Sequence, residues 1–190
     1  MKNILILHGC PESKTKGENP ETRTYDKHWH PWAQEQFEAR GVKTVRPMMP
    51  APWTPVYEDF KVELGKYDVD EDSIIIAHSC GCAYAVRWLA DTKQKIAKLI
   101  LVAPWKISPD PDNEIKTTFY NFTVDETIKD RVKNIYMFTS DNEAEMGKES
   151  LKIFHDSIGG EIINLPTHGH FGFKHMRTIE FPELVDLVLS

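Results

Sequence analysis

Residues 74–85 read IIIAHSCGCAYA. Three β-branched apolar residues run into a His-Ser-Cys-Gly-Cys cluster and then into small residues. That is the pattern of a buried strand turning sharply into a helix. Ser79 sits at the turn, with Ala77 two residues before it and Gly81 two residues after. A strained strand-to-helix turn that exposes a nucleophilic serine, a nucleophile elbow, requires small residues at those two positions. Its usual form is G-x-S-x-G, so Ala77 adds a methyl group where hydrogen is common. At the first turn of the following helix, the backbone N–H of Cys80 would face a developing oxyanion. The plain alternative for Ser79 is an ordinary helix N-cap.

Outward from this stretch, short apolar runs recur at 4–7, 42–45, 73–77, 98–103, 135–138 and 161–165. Their length and β-branching suit strands covered on both faces. Helix-like segments lie between them at 29–40, 54–66, 81–91, 144–158 and 181–189. This alternation predicts an α/β fold: a single domain over 1–190, about six mostly parallel strands, and helices on both faces. Two segments have no clear period. Residues 10–27 read as a surface excursion, and 105–123 as a small lid or pocket wall or a loop with its own apolar cluster.

The composition sets outer limits. The 190 residues are 41% hydrophobic and 27% charged with a net charge of −6, as in a globular protein with no electrostatic case for nucleic acid or an anionic membrane. The N-terminal apolar run is too short for a signal or a membrane span. Three cysteines, an odd number, do not suggest a disulfide framework, so a cytoplasmic location is expected.

In such a sheet, chemistry gathers at the carboxyl ends of the strands. A serine hydroxyl needs a base that is itself oriented by an acid. After the last strand the chain reads LPTHGHFGF, which puts His168 and His170 where a base belongs. His28, His30, His155 and His175 fall in helical or surface settings and read as structural or solvent-facing. After the strand at 135–138 the chain reads FTSDNEAEM, offering Asp141 and Glu143 as the acid, with Asp110 and Asp112 less well placed. The loop after the first strand, LHGCP, offers the N–H of Cys10 as a second oxyanion donor.

The stretches IIIAHSCG, LVAPW, FTSDNE and HGHF, with a terminal EFPEL, give the chain a resemblance to the small single-domain α/β-hydrolases of the retinoblastoma-binding-protein-nine/YdeN type. The resemblance covers nearly the whole chain. It implies a serine hydrolase with a Ser–acid–His triad, without metal or organic cofactor. Carried over by motif, Ser79 is the nucleophile and His170 the base. Registering on Ser140 puts the acid at Glu143 rather than Asp141, where the family commonly has aspartate. The Leu-x-Cys-x-Glu motif that gives the family its name is absent.

Other readings bear on the same residues. His78, Cys80 and Cys82, with Cys10, form a candidate metal set, but one residue between the two cysteines is short of the usual two to four. If Cys10 and Cys80 flank one pocket mouth, their oxidation is expected to shut the activity off. A binding module that keeps the fold without catalysis is the alternative of a different class. The expected substrate is a small acyl ester, with Trp53, Trp105, Phe119, Tyr120 and Phe171 as candidate pocket aromatics.

Overall fold

The computed structural model describes residues 3–190. Among them, β1 (Asn3–Leu7), β2 (Lys43–Val45), β3 (Ile74–His78), β4 (Ile96–Val102), β5 (Val132–Thr139) and β6 (Glu161–Asn164) form one sheet. Its order is β2-β1-β3-β4-β5-β6, and every neighbouring pair is parallel. The fold is thus the α/β-hydrolase type that the alternating pattern predicts.

Side chains alternate across a strand, so each strand feeds two cores. Leu5, Leu7, Ile75, Ala77, Leu99, Leu101 and Met137 meet α3 (Tyr57–Leu64), α4 (Cys80–Thr92) and α6 (Glu145–Ile158) on one face. Ile4, Ile6, Ile74, Ile76, Ile100, Val102 and Phe138 meet α2 (His30–Glu38) and α8 (Pro182–Leu189) on the other. Both faces of β3 are sealed, which is why its sequence is continuously apolar instead of alternating. Each fully buried isoleucine there contributes about 1.5–3 kcal/mol of burial.

The two irregular segments each hold a short helix, α1 (Lys14–Glu18) and α5 (Glu114–Tyr120). Their first turns are held by side chains: Ser13 accepts from the Lys16 N–H and Asn113 from the Lys116 N–H. Helices of five and seven residues are too short to display a 3.6-residue period, so composition alone misses them. A 3₁₀ turn at Glu126–Asp130 and the single-turn α7 (Phe173–Met176) are invisible in the pattern for the same reason.

From β1 the chain crosses to β2 on one side and then to β3 on the other. The carboxyl ends of β1 and β3 therefore mark the point where the winding reverses, the usual crevice for ligands in such sheets. There the structure corrects the expectation of unpaired thiols, because Cys10 and Cys80 form a disulfide with Cα atoms 5.7 Å apart. Seventy residues separate them along the chain, and only the adjacency of β1 and β3 brings them together. Cys82 is the cysteine left over, which accounts for the odd number. The bond removes the argument from cysteine count for a reducing compartment. Among the described residues no helix is long and apolar enough to cross a membrane.

Candidate active site

Ser79 joins β3 to α4 with φ 56° and ψ −125°, a conformation costly for any residue with a side chain. The surrounding hydrogen bonds hold it there: the Ser79 N–H donates to Val102 O at 3.0 Å, and Ser79 O accepts from the Cys82 and Trp105 N–H groups. Gly81 is required by space. A Cβ there would lie 2.9 Å from both Leu7 O and His8 O, backbone atoms that cannot yield. Ser79 makes no side-chain cap bond to α4, so the N-cap alternative does not describe its hydroxyl.

The hydroxyl is instead 2.8 Å from His170 Nε2, and His170 Nδ1 is 2.8 Å from Glu143 Oε2. An ionised carboxylate only accepts, so Nδ1 carries the imidazole proton and Nε2 is free to accept from Ser79. Burial alone would raise the pKa of Glu143. The hydrogen bond and charge of His170, with the Ala144 N–H on Oε1 at 2.7 Å, outweigh burial and hold the carboxyl below its ordinary value. The arrangement can take a proton from the serine and stabilise the resulting imidazolium.

Glutamate reaches His170 because Gly147, the third residue of α6 and four residues after Glu143, leaves room for the extra methylene. Sequence reasoning missed Gly147, although a glycine four residues after a candidate acid is a usable sign. Asp141 is exposed and occupied otherwise: its Oδ1 accepts the Thr167 N–H at 2.7 Å. Ser140 Oγ accepts the His168 N–H and Asn142 Oδ1 the Gly169 N–H. Three consecutive side chains after β5 thus hold three consecutive amides of the loop that carries His170. The His168 ring turns away from Ser79, its Nδ1 bonded to Pro166 O.

His78, a member of the candidate metal set, is buried at the end of β3 next to Ser79. Its Nε2–H donates to His170 O at 2.9 Å, which ties the histidine loop to the end of β3. Burial, reinforced by the neighbouring imidazoles of His30, His170 and His28, keeps His78 well below its ordinary pKa. His30 is buried beside it, and the His28 Nδ1 accepts the Phe173 N–H. Cys80 is bonded to Cys10, and the Cys82 sulfur points back to Ala77 O and Val102 O, so these sulfurs do not converge with His78 on an ion.

A cavity of about 550 Å³ opens over Ser79. Trp53, Trp105 and Tyr120 line it, and residues 105–123 supply one wall, with the Trp105 ring edge-on to His170 at 5.3 Å. Phe119 and Phe171 do not reach it. Phe119, on α5, is buried in the core on the α3–α4 side, and Phe171, in the loop between β6 and α7, is buried in the core on the α2–α8 side.

The chain belongs to the serine hydrolase family, whose sequence pattern matches residues 21–187. It is similar to YdeN of Bacillus subtilis (strain 168), with 30% identity over 106 residues, 54% of this chain and 50% of YdeN. The crystal structure of the B. subtilis ydeN product superimposes with a TM-score of 0.83 at 24% identity, covering 100% of this chain and 98% of that one. Serine hydrolase RBBP9 of Rattus norvegicus is 27% identical over 171 residues, 85% of each chain. Est1E from Butyrivibrio proteoclasticus shares the fold, with a TM-score of 0.68 at 17% identity over 99% of this chain and 86% of its own.

Proposed function

We propose that the chain hydrolyses small carboxylic esters through an acyl-enzyme on Ser79. The observation that carries this reading is the unbroken line from Ser79 Oγ through His170 to Glu143, each contact 2.8 Å, at the floor of an open cavity. In the proposed sequence, His170 Nε2 takes the hydroxyl proton as Oγ attacks the ester carbonyl, and Glu143 stabilises the imidazolium. The N–H groups of Cys80 and Cys10 receive the oxyanion. His170 then protonates the leaving alcohol. Water attacks the acyl-enzyme by the same steps in reverse roles and releases the acid.

A cavity of about 550 Å³ has room for a small acyl ester. Its lining combines the rings of Trp53, Trp105 and Tyr120 with the imidazoles of His28 and His175 and with Glu12 and Lys116. A series of p-nitrophenyl esters from acetate to octanoate tests the proposal. A burst of p-nitrophenolate equal to the enzyme concentration, absent in Ser79→Ala, supports it. Turnover of native protein no greater than that of Ser79→Ala contradicts it.

A further inference from the structure

We propose that the Cys10–Cys80 disulfide is a reversible cross-link that holds the oxyanion hole in its working geometry, and that a dithiol reductant slackens it. The inference rests on the esterase reading above. It reverses the sign expected from the thiols alone, because here the oxidised chain is the one with Ser79, His170 and Glu143 aligned.

Four observations carry it. First, the bonded residues are the two whose amides would receive the oxyanion. Cys80 follows Ser79 and opens the 13-residue helix α4, so its N–H has no acceptor within the helix. Cys10 follows Gly9, which lies so close to Ser79 that an added Cβ would be 3.1 Å from the serine Cβ. Second, the sheet does not do this job. The β1–β3 ladder ends at the pair Leu7–Ala77, three residues short of either cysteine. Past that point the two segments have left the hydrogen-bonded register with each other, and the disulfide spans the loop after β1 and the first residue of α4. Third, among the described residues neither the Cys10 nor the Cys80 N–H donates to a protein acceptor. Fourth, Cys10 is only half-buried and lines the open cavity, which is the side from which a small thiol would approach the bond. Cys82 is sealed in the core.

Reduction follows ordinary exchange. One thiolate of the dithiol attacks Cys10 Sγ and displaces the Cys80 thiolate. The second thiolate of the reductant then closes a cyclic disulfide and releases the Cys10 thiolate. Two electrons pass from the dithiol to the protein, and each freed thiolate is set by its own protonation equilibrium. The loop after β1 and the start of α4 remain, but the covalent tie that fixes the separation of their amides is gone. Because those amides act on the transition state, the loss falls on kcat and not on KM.

The test compares air-oxidised and dithiothreitol-treated native protein on a p-nitrophenyl ester, with thiols titrated in denaturant and the helical circular dichroism recorded. We expect one titratable thiol (Cys82) before reduction and all three cysteines after it. Removing an oxyanion donor outright costs about 10²–10³ in kcat, so loosening two should cost about 10-fold or more, with KM changed less than about 2-fold. Activity should return on reoxidation. The double variant Cys10→Ala/Cys80→Ala should be slow and indifferent to dithiothreitol. Equal kcat in both forms, a faster reduced form, or three thiols in the air-oxidised protein would overturn the inference while leaving the esterase reading intact. Loss of the helical signal in step with activity would make the bond a staple of the fold and overturn it too. Silence of both forms toward ester and toward a fluorophosphonate probe would overturn the esterase reading and this inference together.

Discussion

Gly147 sits directly against the side chain of Glu143: a Cβ at 147 would lie 2.7 Å from Glu143 Cγ and 2.8 Å from its Cδ. A glutamate in an acid position usually held by the shorter aspartate must place one more methylene, and the absence of a side chain at the third residue of α6 is what accommodates it. In an unobstructed helix Gly→Ala is favourable by about 1 kcal/mol. Here Gly147→Ala should push the carboxylate off His170 and lower kcat by about 10-fold or more, with no rise in melting temperature. Steady-state kinetics and a thermal melt check this, and wild-type kcat in the alanine variant would remove Gly147 from the account.

Asp141 and Glu143 are separated in role by what each carboxylate accepts. Glu143→Gln keeps the shape but loses the charge that faces the imidazolium, so kcat should fall by about 10²–10⁴. Asp141→Asn keeps an oxygen that can accept the Thr167 N–H and should stay within about 2-fold of wild type. The reverse ranking in a side-by-side assay would move the acid to Asp141.

Four histidines are held neutral around the site. Burial pushes His8 and His28 down to about 4, and it pushes His30 and His78 well below 6.5. The unfolded chain therefore binds more protons than the native one between about 4 and 6.5. Stability is full above pH 6.5 and falls as the pH drops through that window. Each such histidine adds a slope of up to about 1.4 kcal/mol per pH unit. Urea unfolding at pH 7 and pH 5 should show a clear loss at the lower pH, and a flat profile would mean these imidazoles are not desolvated.

Gly81→Ala should be among the most damaging single changes in the chain. The added methyl meets the backbone oxygens of Leu7, the last residue of β1, and of His8 just after it, and relief requires moving α4 away from the sheet. We expect a loss of several kcal/mol, as for other forced overpacking in a core, read as a lowered urea midpoint. A variant as stable as the wild type would show that the elbow is looser than its geometry implies.

Much of this was legible in residues 74–85, because a strand, a sharp turn and a helix start each leave a local signature. The six strands were legible too, since a strand buried on both faces is a run of apolar residues. What was not legible depends on partners distant in sequence. Cys10 meets Cys80 across 70 residues, and Ser140, Asp141 and Asn142 hold amides 28, 26 and 27 positions on, at His168, Thr167 and Gly169 respectively. No spacing rule reports such pairs. The choice between His168 and His170 needed a motif resemblance, because two histidines two residues apart are equivalent until a turn points one inward. Phe119 and Phe171 are candidate pocket aromatics by sequence, but each is packed into a core of the sheet, and aromatic character alone does not tell a pocket ring from a core ring.

The central claim is that the strained Ser79 is the nucleophile, and intact-mass analysis after treatment with a fluorophosphonate tests it most directly. The account predicts a single adduct on native protein, mapped to Ser79, absent in Ser79→Ala and greatly slowed in His170→Ala. Native protein of unchanged mass, or an adduct that persists in Ser79→Ala, would contradict it.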